Sequence, residues 1–487
     1  MALVLYAVVA GATMLHHEPW ADEAHSWLVA RDSGWLRIIF SELRMEGHPG
    51  LWYTILWIAI HWFHASYSAL GWIGLAGAVS GASVVIYLAP FPRSLRYLMV
   101  LSFYFLYQYV VVARPYTLLP LFTFLAAWFY RQPICRVLQF TVALMFLSWV
   151  TIHGTIIAIA LAAGYGGHAY REGAFRDSNL RVRLIFATFL FLTSLVCLVL
   201  LLWPPSGSLA VDEARTFSLS QHLARALAAI AAAFCNFIPL SLVIAALLYL
   251  WSKARKVRVI WLIAVIGNAL AFGFLRGAPH HLGTMVVGSV VALWCGWPTS
   301  DQAMAFSSGG QRWYRVSIVA LCLLFAYQSW WSWTAIRSDW LFPYSGAQEA
   351  AEFLKSNGAD KQSIEGFDYK VTAILPYFES NIFTNLQVRG EPVFLHSFSV
   401  EFRGRATLSG TTRIESSWVV VGTDGKDQAK AIEYLSNAGY ALVHVADGTA
   451  FSQADFLNEK QTYLIFRRNR QWGRTGDKIA GATSGAQ

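Results

Sequence analysis

The sequence predicts an α-helical polytopic membrane protein with about 11 spans, interfacial helices in its first outer loop, and a small C-terminal α/β domain outside the membrane. Three observations carry that expectation. Hydrophobic side chains make up 56% of the 487 residues and charged ones 13%, against about 45–50% and 25% in a soluble domain. The apolar excess recurs in run after run up to residue 338 instead of forming one anchor. Charge then returns, and short helical and strand-like stretches alternate to about residue 470. A soluble enzyme and a disordered chain are both excluded. The net charge of +9 would suit nucleic acid, but most Lys and Arg lie in short loops between apolar runs, where they set topology. No nucleic-acid partner is expected.

Taken in order, eleven candidate helices fall near residues 3–15, 68–90, 97–113, 116–130, 137–152, 154–166, 184–203, 223–250, 259–275, 281–297 and 316–335. The first lacks the basic leader and small-residue cleavage site of a signal peptide, so it reads as an uncleaved span. The run Leu51–His64 holds about 14 residues, short of the ~17 to 25 a spanning helix needs. Whether it crosses decides the sidedness of all that follows. If it does not, the loops with Arg93/Arg96, Arg131/Arg136, Arg171/Arg176/Arg181/Arg183, Lys253/Arg255/Lys256/Arg258 and Arg312/Arg315 share one side, which is then cytoplasmic. The opposite loops hold Arg31, Arg37 and Arg44 among six acids between His16 and Gly50, plus single arginines at 114, 215 and 276. The segment 16–64 therefore reads as a first outer loop whose second half is interfacial or re-entrant. The five cysteines lie in or beside apolar runs without CxxC spacing and imply neither disulfides nor zinc.

The domain expectation is a multi-span membrane domain over 1–338, an α/β domain over 339–470 and a disordered tail over 471–487. Helical patterns at Ala347–Asn357 and Lys426–Asn437 alternate with strand patterns at Ser417–Gly422, Ala441–Val445 and Thr462–Phe466. That domain shows no GxGxxG, phosphate loop or cysteine, which favours scaffolding or acceptor docking over catalysis.

Polar chemistry concentrates on the outer face. In HHEPWADEAHSWLVARDSG, Pro19 suits a helix start, Asp22 and Glu23 fall in the first turn, and Trp20, Trp27 and Trp35 suit the headgroup boundary. By the same topology Arg114 and Tyr116 end one span, His153 sits at a tight hairpin, and Arg276, His280 and His281 occupy another outer turn. Each has an ordinary reading alone: acids capping an interfacial helix, an arginine snorkelling, a histidine packed by hydrogen bonds. Together, an acidic pair opposite arginines and histidines is what a general base facing an anion site requires.

The DE pair of ADEAHSW, the following GHPGLWY, the ARPYTLLPL closing a span, the histidine of VTIHG and a C-terminal outer domain resemble the GT-C superfamily of glycosyltransferases. Within it the bacterial relatives of the protein O-mannosyltransferases and of the aminoarabinose lipid A transferase are similar. The resemblance implies an inverting transfer of sugar from a polyprenyl-monophosphate carrier to a lipid, glycan or protein acceptor at the outer face of a bacterial inner membrane. It assigns Asp22 as base for the acceptor hydroxyl and Glu23 as its helper. Arg114, Arg276, His280 and His281 become candidates for neutralising the departing phosphate, with Tyr116 and His153 beside them. A carboxylate is an adequate base for a hydroxyl only when held within about 3 Å of it. The sequence departs from the pattern at His48, where several relatives carry a lysine, so charge at that phosphate contact depends on pH. No cofactor is required. Asp22, Glu23, His25 and His48 would admit a divalent metal, though their spacing matches no specific signature.

Two other classes compete. A lipid-linked sugar transporter would place ionisable groups mid-span in broken or repeated helices, and these are scarce here. A polysaccharide polymerase or ligase would use a pyrophosphate-linked donor and arginines of a late, large loop instead of an early acidic pair. From the loop charges, a phosphatase reporter fused after Asn469 should be active in the periplasm. Activity of a cytoplasmic reporter at the same junction would overturn the assigned sidedness.

Overall fold

Apolar helices dominate the computed structural model, which describes residues 1–209, 217–275, 277–304, 306–388, 390–409, 412–451 and 458–469. The tail expected at 471–487 and the candidate Arg276 lie outside these. The chain forms two units. The first gathers Met1–His16 and the described part of Ser33–Arg337; the second gathers His17–Asp32, Ser338–Phe451 and the described residues after 457.

In the first unit, helices cover the apolar runs and begin where local chemistry dictates. Thr151 caps Ile152–Arg171 through Oγ1, which accepts from Gly154 N. The Asp177 carboxylate accepts from Asn179 N and Leu180 N and starts Ser178–Leu202. Ser218 and Gln221 form a reciprocal capping box for Leu219–Ala233. Helix α1 (Ala2–Met14) is tied down by Tyr6, whose buried O–H donates to Phe105 O at 2.6 Å. Where Ala69–Leu88 passes its neighbour, a Cβ on Gly81 would meet Leu121 N at 2.9 Å, so only glycine permits that approach.

Several expected spans are shorter or broken. Among the described residues, Ala69–Leu88, Ser178–Leu202 and Ser308–Leu341 are long and apolar enough to cross a bilayer singly. The run 223–250 is a pair, Leu219–Ala233 and Ile238–Ala254, bent by 86°. Asn236 takes a left-handed conformation with φ 52°, and Pro239 in the first turn of the second helix stops continuation backward. The run 97–113 is a helix only to Leu101; a π turn at Tyr104–Gln108 and irregular backbone follow. Arg114 is held extended before Pro115, as a residue preceding proline must be. Leu51–Phe63 is a single helix of 13 residues, about 20 Å long at 1.5 Å per residue.

Breaks at membrane depth release carbonyls that need donors. Side chains supply them. Tyr104 O–H donates to Ala233 O at 3.2 Å, Gln328 to Phe234 O at 3.1 Å and Tyr327 O–H to Cys235 O at 3.3 Å. Ser332 likewise donates to Leu101 O at 2.8 Å. Arginines of the basic loops clasp helix ends: Arg131 donates to Trp294 O at 3.0 Å and Trp297 O at 2.7 Å, Arg255 to Gly296 O at 2.8 Å, and Arg96 to Ile86 O at 2.9 Å. Cations there also complement the negative helix end.

The second unit is built on a four-stranded mixed sheet of order β1-β4-β8-β5, with β1 Ile364–Phe367, β4 Trp418–Thr423, β5 Tyr440–Ala446 and β8 Thr462–Arg468. β1 and β4 run parallel, whereas β8 is antiparallel to both β4 and β5. Two small hairpins, β2 Gln387–Val388 with β3 Glu391–Phe394 and β6 Thr449–Phe451 with β7 Asn458–Lys460, complete the strands. Phe367, Val419, Val421, Leu435, Leu464 and Phe466 form a buried core between the sheet and Gln428–Asn437. Helix α2 (Ala21–Asp32) from the first loop belongs to this unit and packs on the 3-10 segment Tyr369–Tyr377. Arg31 fastens its end by donating to Phe378 O at 2.7 Å.

Arg131→Ala would leave two helix-terminal carbonyls without their charged donor. Loss of roughly 1–3 kcal/mol of stability is expected, read as a lowered thermal midpoint in detergent. Arg131→Lys should recover only part, because a single ammonium lacks the guanidinium fork.

Candidate active site

The second unit holds the acidic pair. Its two members face different partners. Glu23, fully buried, turns back on its own helix start and accepts from Trp20 N at 3.3 Å. The same oxygen, Oε2, lies 3.0 Å from His17 Nε2, and His17 Nδ1 lies 2.9 Å from Asp339 Oδ2. A buried imidazole is thus held between two carboxylates, with the Tyr344 ring 4.4 Å away. Burial alone would push His17 down; Glu23 and Asp339 outweigh it and carry it up to about 10, so the ring is an imidazolium at neutral pH. Next to it, Glu18 accepts from Gln348 N at 2.6 Å and so caps the helix Ala347–Ser356. Burial pushes the Glu18 carboxyl up to about 7, against the pull of the Gln348 N–H and His17.

Asp22 is half-buried, and its Oδ1 accepts a hydrogen bond from the phenol of Tyr369. One turn on, His25 shares a hydrogen bond with Ser397 Oγ at 3.2 Å and meets His396 and Phe398 edge-on at 4.7 and 4.8 Å. Of the three α2 members of the suggested metal set, Asp22 bonds Tyr369, Glu23 bonds His17 and Trp20 N, and His25 bonds Ser397, with Phe398 lying against both Tyr369 and His25. His48 belongs to the first unit.

The first unit gathers the basic candidates. Arg114, buried at the end of the irregular segment, brings Nη1 to 2.9 Å from His280 Nε2. Tyr116 lies in their midst, stacked on Tyr109 at 5.5 Å and meeting His280, His281, His153 and His48 at 5.3, 5.6, 6.2 and 6.3 Å between ring centres. The Tyr109 hydroxyl donates to His280 O at 2.8 Å and fixes the short turn that carries both histidines. His153 Nδ1 lies 2.6 Å from Asn268 Oδ1, while the Asn268 amide donates to Ala264 O at 2.6 Å. With its NH₂ so committed, Asn268 presents an oxygen, and His153 must donate from Nδ1. His281 Nδ1 accepts from Ala278 N at 3.1 Å. His48 lies 3.5 Å from Glu46. Arg114, Tyr116, His48, His153, His280 and His281 thus converge in one unit, and Asp22 and Glu23 lie on neighbouring positions of one helix in the other.

Sequence reading missed His17, Asp339, Tyr369 and Asn268. His17 and Asp339 are 322 positions apart, so no local spacing links them. The one available signal was a histidine beside a proline-started helix whose first turn is acidic.

Removing one partner of a buried charge pair leaves the other uncompensated and costs about 3–5 kcal/mol, so Asp339→Asn and His17→Gln should each lower the thermal midpoint markedly. Because the folded His17 titrates above its ordinary value, its stabilisation is complete below pH 6.5 and is lost as pH rises through about 10. Unfolding measured across that window should show the decline in wild type and a flattened profile in His17→Gln.

No protein-family model matches the sequence, and no curated protein matches it. Over 95% of its length the chain is similar to the crystal structure of ArnT from Cupriavidus metallidurans bound to undecaprenyl phosphate, with 97% of that chain covered, 13% identity and a TM-score of 0.43.

Proposed function

We propose that the chain is an inverting glycosyltransferase that moves a sugar from a polyprenyl-monophosphate carrier to an acceptor hydroxyl at the periplasmic face of a bacterial inner membrane. The observation that carries this reading is the Asp22 carboxylate, which already accepts a hydrogen bond from a hydroxyl group. A general base must meet its substrate O–H in that manner. In the proposed reaction the acceptor proton passes to Asp22 and the acceptor oxygen attacks the anomeric carbon. The bond from that carbon to the phosphate oxygen breaks, leaving its electron pair on the phosphate.

The departing phosphate gains negative charge and needs fixed donors around it. Arg114, His280, His281, His153 and Tyr116 are the candidates to supply them, and the order of ADEAHSW, GHPGLWY, ARPYTLLPL and VTIHG along the chain supports the reading. Arg276 is a candidate for the same task. Glu23 is the proposed helper of Asp22, and its bonds to His17 and Trp20 N at the start of α2 support a role in placing that base. His48, beside Tyr116, stands for the lysine of relatives. The acceptor is a lipid, glycan or protein hydroxyl, and no metal is needed for the proton transfer.

Purified protein in nanodiscs, offered radiolabelled polyprenyl-phosphate sugars and a membrane extract as acceptor, tests the reading. Asp22→Asn should lower transfer by about 10²–10⁴-fold, the usual worth of a general base, while the variant elutes as folded protein. Arg114→Ala should weaken polyprenyl-phosphate binding at least tenfold more than Asp22→Asn does. Turnover of pyrophosphate-linked donors alone would instead identify a polymerase or ligase, and uptake of intact donor without transfer would identify a transporter.

A further inference from the structure

A base poised for an acceptor hydroxyl faces a competitor of the same chemistry. Water also presents an O–H. If it reaches the base while donor is bound, its oxygen attacks the anomeric carbon, its proton passes to the base, and the bond to the phosphate breaks. The activated sugar is then released as free sugar plus polyprenyl phosphate.

The phenol of Tyr369 donates to Asp22 Oδ1, the contact that an attacking hydroxyl would have to make. Tyr369 is held there from both sides. Asp368, just before it, adopts φ 76°, a strained conformation for a residue other than glycine and one that persists where the surroundings enforce it. Its amide donates to Ala406 O at 2.8 Å, and its carboxylate accepts from Lys370 N at 2.9 Å. Lys370 O in turn accepts from the buried Tyr463 hydroxyl at 3.0 Å. The Tyr369 ring leans on Phe398 with 5.9 Å between centres and remains half-exposed. A fixed backbone thus carries a ring that is partly open to solvent.

We propose that Tyr369 guards the base: its phenol occupies Asp22 until an acceptor hydroxyl replaces it, so that bound donor is not hydrolysed while the acceptor site is empty. Tyr369 is then a positioning residue that sets acceptor against water. The inference rests on the assignment of Asp22 as base.

The test uses full-length protein in nanodiscs with radiolabelled polyprenyl-phosphate mannose, glucose and arabinose. Free sugar released without acceptor and sugar transferred to a membrane extract are measured for wild type, Tyr369→Phe and Asp22→Asn. Tyr369→Phe is expected to raise the ratio of hydrolysis to transfer at least fivefold and to lower the acceptor KM, and adding Asp22→Asn should abolish both reactions. A merely structural tyrosine would lower both reactions in proportion and leave the ratio unchanged, which would overturn the guard. Should Tyr369→Phe fail to fold, Tyr369→Leu carries the same two outcomes. Wild type that transfers sugar while Tyr369→Phe leaves the ratio unmoved defeats the guard alone. Wild type that turns over no monophosphate donor defeats the assignment of Asp22 and the guard with it.

Discussion

The imidazolium of His17, shut between the carboxylates of Glu23 and Asp339, fixes where helix α2 begins. Two anions and one cation in a dry site are costly to bury and tolerable only in good geometry. The return is definition rather than net stability. Glu23 bonds His17 and its own helix start together, and the preceding residue, Asp22, meets Tyr369. Glu18 and Arg31 secure the same segment against the C-terminal unit at either end. A short helix, which has little intrinsic stability, thereby becomes part of an α/β unit.

The first unit meets a different constraint, the lack of water in hydrocarbon to satisfy a broken helix. It breaks helices at Ser102 and Asn236 and supplies the freed carbonyls from tyrosine, glutamine and serine side chains. Broken backbone is what lets Tyr109, Arg114 and Tyr116 approach the turn with His280 and His281. A continuous helix through 97–113 would have spread those residues around a cylinder. The polar cluster and the irregular segment are thus one feature, and hydrogen bonds from side chains of other segments offset its cost.

How much of this was legible in the sequence follows from range. Hydropathy located the apolar runs, and the strand patterns at Ser417–Gly422, Ala441–Val445 and Thr462–Phe466 fall on β4, β5 and β8. The helices starting at Ser178 and Leu219 begin before the expected 184 and 223, because their caps Asp177 and Ser218 lie in polar sequence ahead of the apolar runs. β1 escaped because four residues, IEGF, carry no periodicity. The helix breaks escaped because hydropathy does not register a tyrosine hydroxyl reaching a carbonyl from another helix. Short motifs with unusual polarity in apolar surroundings, ARPY and PHH, marked residues that do converge. Partners such as Asn268 for His153 and Tyr369 for Asp22 are ordinary residues in ordinary contexts, and only the fold selects them.

The distance along the chain between His17 and Asp339 orders the events of biosynthesis. At about 5–20 residues per second, the 322 positions separating them take on the order of 15–60 s to synthesise. Throughout that interval α2 has been made but its charge partner has not, and the strands that complete its unit follow later still. The helix bearing the acidic pair must wait without these partners while the intervening helices are made. The buried ion pair therefore closes among the last contacts of folding, and the acidic pair acquires its fixed setting only in a chain whose membrane insertion is finished.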